Sequence, residues 1–443
     1  MKRIEKSNFN WKEKLAWTEE SGRMLQLACT NEKIAALLRK ADENYDYWDS
    51  VKEYAFPQGI VPEMFWSLVK ALREIRGYKK LFFTKAEVLS AEEIQKVSFK
   101  YLLTPEIMQK CAALENLLSK HGLSLDEKNE FSADVVMEEA MASSRIEGSD
   151  TETEAAKEML RSKRQPQNMS EQMILNTYKA MKFIEKNQNE PLSVALIKRL
   201  HLIIAKDCAE KSGVFRNEFD AGAITGENGA ELFTPPPSFA IEDMLESLCI
   251  FANKGIGGES FHPVINAAIV HFWFAFTYPF SECVGRTARA LFYWHMLKNG
   301  YGKLSFLSIS KAIENRREQY GKTFLYAGAD ENDLTYFINF NLDIIIDAAK
   351  AFNDYAEKRK NAAAGVTAVL KPGIKLNPRQ QSIMEDFTAS KATRNIEYFK
   401  NKLGVVYETA RTDLMYLAKK KLLVKKKSGK EFIYMLNTET PKQ

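Results

Sequence analysis

The chain has few of the residues that build metal centres and disulfide scaffolds. Five cysteines (Cys29, Cys111, Cys208, Cys249, Cys283) are odd in number and show no metal-ligand spacing, so they read as reduced, packed thiols and not as a zinc site. Five histidines (His121, His201, His262, His271, His295) contain no His-x-x-x-His or His-x-x-His pair, which argues against a metal hydrolase. No apolar stretch approaches the roughly 18 residues that a membrane span requires. The start, Met1-Lys2-Arg3-Ile4-Glu5-Lys6, lacks the apolar run of a signal peptide, so a cytoplasmic protein with no membrane contact is expected. At 443 residues the chain exceeds one typical core, and two to three domains are expected.

Strong overall charge is also lacking: the net charge is +5. It is unevenly spread, however. Leu376 to Gln443 holds 14 lysines and arginines against 7 acidic residues, a surplus of 7 that leaves the preceding 375 residues at −2. This basic tail reads as a helix near Pro378 to Phe387, a second near Arg394 to Leu403, a turn at Gly404, a third helix from Tyr407 to Lys420, and a hairpin from Leu422 to Tyr434 turning at Ser428-Gly429. That order resembles a winged helix-turn-helix. The resemblance implies DNA as a partner, with Tyr407, Glu408, Thr409, Arg411 and Thr412 toward base edges or phosphates. Lys419, Lys420, Lys421, Lys425, Lys426 and Lys427 would supply attraction to the phosphate backbone. Winged helices also dock proteins, and lysine runs are also solvated faces, so protein docking stays open.

Residues 278 to 289, Tyr-Pro-Phe-Ser-Glu-Cys-Val-Gly-Arg-Thr-Ala-Arg, carry the chemistry. An apolar helical run (Ala267 to Phe276) stops at Pro279, and a new helix (Thr287 to Leu297) begins just beyond Gly285. Backbone N–H groups and the positive end of that helix then converge on a spot suited to an anion, and Arg286 and Arg289 add forked donors for phosphate oxygens. The segment resembles the signature loop of the Fic family, His-Pro-Phe-x-Asp/Glu-Gly-Asn-Gly-Arg-x-x-Arg. Pro279, Phe280, Glu282, Gly285, Arg286 and Arg289 match; Tyr278 stands where the family has its histidine, and Cys283 and Val284 where it has Gly-Asn. In the family that histidine is the general base that activates a target hydroxyl for attack on the α-phosphate of ATP. A tyrosine, with an unperturbed pKa of about 10, holds its proton at neutral pH.

Two further segments resemble the family. Ser143-Ser144-Arg145-Ile146-Glu147-Gly148 matches the Ser/Thr-x-x-x-Glu-Gly/Asn motif of an inhibitory helix. The resemblance implies that Glu147 pairs with Arg289 in the place of the γ-phosphate, with Ser143 holding the helix end. Gly213-Val214-Phe215-Arg216, Ile224-Thr225-Gly226-Glu227-Asn228-Gly229 and Phe233-Thr234-Pro235-Pro236-Pro237 look like the flap, a hairpin that holds a target peptide as an added strand. A protein target is thereby implied. The resemblance also implies ATP and Mg as cofactors, with Glu282 on the metal and Arg286 and Arg289 on the β- and γ-phosphates; Cys283, Val284 and Gly285 complete the nucleotide loop. His271 reads as a packed helix histidine hydrogen-bonded to a loop, and Cys283 as a small tolerated side chain.

The expected architecture is mainly α. It comprises a helical N-terminal domain (1–125, with Trp11, Trp17, Trp48 and Trp66 as core anchors), a helical Fic core bearing a small β-hairpin flap (126–360), an Ala- and Gly-containing linker (361–375) and a C-terminal winged helix (376–443). Three functions stay open. One is a pseudoenzyme whose nucleotide pocket or dimer state controls the DNA-binding tail. The second is an active transferase moving AMP from Mg-ATP to a protein hydroxyl. The third is a scaffold whose loop binds nothing.

Overall fold

The computed structural model describes residues 4, 26, 30–81, 98–119, 125–220, 224–225, 231–255, 262–301, 307–370, 373–390, 392–428 and 431–437. The fold is mainly helical, as expected, with short strands. The chain divides into two compact units, Met1–Ala349 and Lys350–Gln443.

The first unit opens with α1 (Glu32–Glu43), α2 (Trp48–Val51) and α3 (Pro62–Ile75), followed by the antiparallel pair β1 (Lys79–Leu81) and β2 (Phe99–Tyr101) and by α4 (Pro105–Ser119). Asn31 caps α1 by accepting from the Lys33 and Ile34 N–H groups, and Pro62 starts α3 where no intrahelical donor is needed. Trp48 and Trp66 are buried in one cluster with Phe65 and Tyr336; Trp11 and Trp17 lie outside the described residues. Two buried cations of α3 tie this region to the rest of the unit. Lys70 pairs with Asp330 at 2.5 Å, and Arg73 donates to the Tyr336 hydroxyl at 3.0 Å. A buried charge without a partner costs several kcal/mol, so these bonds fix how α3 docks.

There follow α5 (Leu125–Ile146), α6 (Thr153–Ser162), α7 (Met169–Asn187), α8 (Val194–Ala205), the hairpin β3 (Ile224–Thr225) and β4 (Glu231–Phe233), α9 (Ile241–Lys254), α10 (Pro263–Thr277), α11 (Val284–Lys298), α12 (Ile309–Asn315) and α13 (Arg317–Ala329). Helix α10 is apolar on all sides and correspondingly buried from Val264 to Phe274. It packs along α11, and the loop between the two is the 278–283 segment. The helix ends start earlier and run later than the apolar run alone indicated, because Pro263 is a good first residue and Val284 already has helical geometry.

Helix α14 (Thr335–Val369) runs past the division between the units. Residues 361–369, read from composition as linker, continue this helix; Ala362, Ala363 and Ala364 are the strongest helix formers available. The second unit continues with α15 (Pro378–Ser390), β5 (Arg394–Asn395), α16 (Ile396–Leu403), α17 (Tyr407–Lys419), β6 (Leu423–Ser428) and β7 (Glu431–Leu436), the strands ordered β5-β7-β6. Gly404 closes α16 in the left-handed conformation, φ 61°. Ile383, Phe387, Phe399, Leu414, Leu417 and Tyr434 form this unit's own core. Buried Asp413 of α17 accepts from Arg379 Nε at 2.8 Å and Gln380 Nε2 at 2.9 Å, which fixes α17 against α15.

Candidate functional site

The 278–283 loop is held open by two backbone conformations that side-chain-bearing residues rarely adopt. Tyr278 ends α10 at φ 47°, and Cys283 precedes α11 at φ 61°. Such positions cost a non-glycine residue about 1–2 kcal/mol, so the loop must be clamped from outside. His201 of α8 is one clamp. Its ring stacks on Phe280 with centroids 3.6 Å apart and planes 6° apart, Nδ1 accepts from the Gly213 N–H at 2.9 Å, and Nε2 therefore donates to the Glu282 carbonyl at 3.1 Å. Burial lowers the His201 pKa to about 4, keeping the ring neutral. Arg216 is the second clamp. Its Nε donates to the Tyr278 carbonyl at 2.6 Å, its Nη2 donates to the Pro236 carbonyl, and its own N–H donates to the Pro279 carbonyl at 3.0 Å.

A cavity of about 800 Å³ opens beside this loop. Tyr278, Cys283, Val284, Gly285 and Arg289 line it together with Glu147, Leu232, Phe233 and Thr234. Five of the loop and helix residues assigned from sequence thus face one space, with Glu147 and one wall of the β3–β4 hairpin. In that hairpin Ile224 pairs with Phe233 and Thr225 with Glu231; Gly226 lies outside the described residues. Helix α11 begins here with no side-chain cap, which leaves its first N–H groups available to an anion.

Arg289 is 3% exposed and bonded through two of its three nitrogens. Its Nε donates to Ser143 Oγ at 2.8 Å, and Nη2 donates to the Ser143 carbonyl at 2.9 Å and to Glu147 Oε1 at 2.9 Å. The same Glu147 oxygen lies against Gly285 so closely that a Cβ on residue 285 would overlap it. The carboxylate therefore sits beside the first turn of α11, and only glycine at 285 leaves room for it.

Two residues assigned to the ligand, Arg286 and Glu282, are placed elsewhere, and Ser143 serves Arg289. Arg286 is buried beneath the loop, where Nη1 reaches the Met173 and Ile204 carbonyls at 3.4 and 3.3 Å and Nη2 lies 3.0 Å from Cys283 Sγ. Those carbonyls, from α7 and the end of α8, take its fork and turn it from the cavity. Glu282 points to the other side of the loop and accepts from the Glu210 N–H at 3.1 Å. Ser143 stands behind Arg289, 1% exposed. With Glu282 turned away and Glu147 held by Arg289, the cavity offers no second carboxylate, and no group of three His, Cys, Asp or Glu among the described residues could hold a metal. A magnesium site that rests on Glu282 does not fit this arrangement.

The proton chemistry follows from burial. Tyr278 is pushed above the ordinary phenol range by desolvation and by the Glu147 charge, against the opposing pull of Arg216. Burial likewise raises the Cys283 thiol, with Arg286 pulling the other way, so it is not a thiolate at neutral pH. No histidine lines the cavity among the described residues. His271 is buried, lowered to about 3 by desolvation, and bonded through Nε2 to the Tyr320 hydroxyl at 2.9 Å. Its partner is thus a side chain of α13, where the sequence reading expected a loop. The sequence reading missed His201, Arg216 and Tyr320 as site residues. Gly213-Val214-Phe215-Arg216 was a usable signal for Arg216; nothing local marked the others.

In the second unit Lys425, Lys426 and Lys427 are exposed along β6, with Lys425 Nζ 3.8 Å from the Phe432 ring centroid. Tyr407, Glu408, Arg411 and Thr412 are exposed on α17, and Thr409 is half-buried. Arg411 Nη1 is tied to Glu408 Oε1 at 3.0 Å, a solvent-exposed pair worth about 0–1 kcal/mol.

Residues 191–296 match the model of the Fic/DOC family. No curated protein matches the chain. Among solved structures, the chain is similar in fold to a Fic family protein from Desulfovibrio desulfuricans, with a TM-score of 0.53 and 19% identity over 77% of this chain and 98% of that one. It is similar also to Fic-1 from C. elegans, with a TM-score of 0.50 and 14% identity over 75% of this chain and 86% of that one. The chain therefore carries a Fic/DOC domain at 191–296, and its fold is similar to that of solved Fic proteins.

Proposed function

We propose that this protein is a nucleotide-binding regulator of the Fic lineage, whose members are generally AMP-transferases, with AMP transfer of its own weak or absent and a C-terminal DNA-binding module as its output. The observation that carries this reading is the Glu147 carboxylate on Arg289 and Gly285, in a cavity whose other features suit a nucleotide. One end offers a guanidinium and a helix N-terminus; the flap residue Phe233 and the α10 residue Phe276 form an apolar wall, ring centroids 5.3 Å apart. A few polar groups set in a mostly apolar cleft of this size are what a small ligand needs.

Glu147 acts as the brake. A terminal phosphate must take Arg289 from it, and a hydrogen bond between charged groups contributes about 1.5–3 kcal/mol. Transfer itself has no base to start it. Losing a positioned general base costs about 10²–10⁴ in rate, and Val284 adds an apolar side chain where the family loop has a polar one. The raised Tyr278 supports the same conclusion.

Exposed lysines on β6 and the exposed face of α17 support a winged helix that meets DNA phosphates. The reading is tested by calorimetric titration of ATP, with and without Mg²⁺, into the intact chain and into a Glu147→Gly variant. About ten- to hundredfold tighter binding in the variant is expected. Unchanged binding in a folded variant removes the brake, and binding by neither chain removes the nucleotide.

A further inference from the structure

We infer that Arg317 is a second phosphate-binding residue of this cavity and makes it select nucleotides by the length of their phosphate chain. The inference rests on the nucleotide reading of the cavity and assigns a role that the signature loop no longer fills, since Arg286 is turned beneath the loop.

Helix α13 shows one face to the cavity: Arg317, Tyr320, Gly321, Phe324 and Gly328 all line it. Their spacing of three, four, seven and eleven is that of a single helical stripe. Two of them set the direction. Tyr320 lies at the ion-pair end: its hydroxyl meets His271, and Arg289 and Glu147 are the charges that act on it. Phe324 lies at the apolar end, stacked on Phe272 with centroids 5.1 Å apart and planes 16° apart. Arg317 precedes Tyr320 by one turn, on the side away from Phe324, so it extends the polar end by about 4.5 Å along the helix axis.

The charges lining the cavity are Arg289, Arg317 and Glu147. Glu147 is already held by Arg289, which leaves the positive charge of Arg317 uncompensated. Its neighbours on the helix do not supply a partner. The Glu318 carboxylate is taken by Lys322 at 2.8 Å, and that of Asp347 on α14 by Arg316. Arg317 is exposed and makes no ion pair among the described residues. A free guanidinium one helical turn beyond the Arg289 site offers a fork of donors to a second phosphate group. A nucleoside monophosphate seated by its base at the apolar end does not extend to it, whereas a di- or triphosphate does.

The test uses the full chain in the Glu147→Gly background, with Arg317→Ala and Arg317→Lys added separately, titrated with ATP, AMP and inorganic tripolyphosphate. Because Arg317 makes no pair to lose, both variants should unfold at the same denaturant concentration as their parent. Arg317→Ala is expected to weaken ATP and tripolyphosphate roughly tenfold and AMP less than about twofold, and Arg317→Lys to recover part of the ATP loss. Equal weakening of ATP and AMP, or no weakening of either, overturns the assignment while leaving the nucleotide reading in place. If the parent binds tripolyphosphate in an Arg317-dependent way and binds neither nucleotide, the nucleotide reading falls and Arg317 keeps its role. If no probe binds the parent, both fall.

Discussion

Replacing Gly285 with alanine should change the sign of its effect on stability according to what stands at residue 147. Gly285 lies in the first turn of α11 with ordinary helical geometry, and glycine there is worse than alanine by about 0.5–1 kcal/mol. Taken alone, the substitution stabilises. In the native chain, however, the new methyl overlaps Glu147 Oε1, and the flexible carboxylate rotates away from Arg289. That forfeits a charged hydrogen bond of about 1.5–3 kcal/mol, with the lower figure apt because the Glu147 side chain is 34% exposed. Gly285→Ala should therefore destabilise the native chain by about 0.5–1 kcal/mol and stabilise the Glu147→Gly chain by a similar amount, a coupling of about 1.5 kcal/mol. The assay is denaturant unfolding followed by tryptophan fluorescence. All six tryptophans (Trp11, Trp17, Trp48, Trp66, Trp273, Trp294) precede residue 350, so the signal reports the first unit alone. An effect of Gly285→Ala that is the same in both backgrounds would refute the placement of the carboxylate beside the first turn of α11.

Two further outcomes are expected. His201, neutral at a pKa of about 4 in the fold against about 6.5 unfolded, contributes stability that is complete above pH 6.5 and is lost as pH falls from 6.5 to 4, by about 3 kcal/mol. A His201→Phe chain should lose close to one proton from the slope of stability against pH in that window, measured by the same fluorescence assay, and an unchanged slope would remove the clamp. If the second unit binds duplex DNA through phosphates, Lys425, Lys426 and Lys427 replaced by Gln should flatten the log–log salt dependence of binding by about 2–3 and weaken all sequences alike. An unaltered slope in fluorescence anisotropy at several salt concentrations would place the contact elsewhere.

Much of the fold could be read from punctuation. Pro279 and Gly285 bracketed the loop, Gly404 closed α16, and the expected tail helices lie close to Pro378–Ser390, Ile396–Leu403 and Tyr407–Lys419. These signals are local, set by φ restrictions and side-chain period. The direction of a side chain is not local. Arg286 and Arg289 are three residues apart on one helix, yet one finds the carbonyls of α7 and α8 and the other finds Ser143 and Glu147. Partners that far away in sequence leave no mark on the motif itself. The same holds for His201, whose role depends on Phe280 and Gly213. For residues 361–369 the alanines were the better signal and Gly365 the misleading one. A Cβ on Gly365 would come 3.1 Å from Thr388 Cβ, so glycine there permits close packing of α14 on α15 within a continuous helix.

Under the proposed reading, release of the Glu147 brake follows from what holds that residue and what does not. The end of α5 is pinned on several sides. Arg145 forks onto Glu314 of α12 at 2.6 and 3.1 Å, Ser144 Oγ meets Thr177 Oγ1 at 3.2 Å, and the chain turns at Gly148 with φ 98° under the Ser149-to-Ser170 bond. The carboxylate is held far more lightly, by one bond to Arg289. Arg289 keeps its two bonds to Ser143 when the carboxylate leaves, so it stays aimed at the cavity. Under the proposed reading, a terminal phosphate therefore displaces Glu147 by rotating a side chain that already borders water, without moving the helix that carries it. In that reading the helix would supply the position of the brake and the side chain its reversibility. A substitution that loosens the helix end, such as Arg145→Ala, would then act on affinity only through the time Glu147 spends on Arg289.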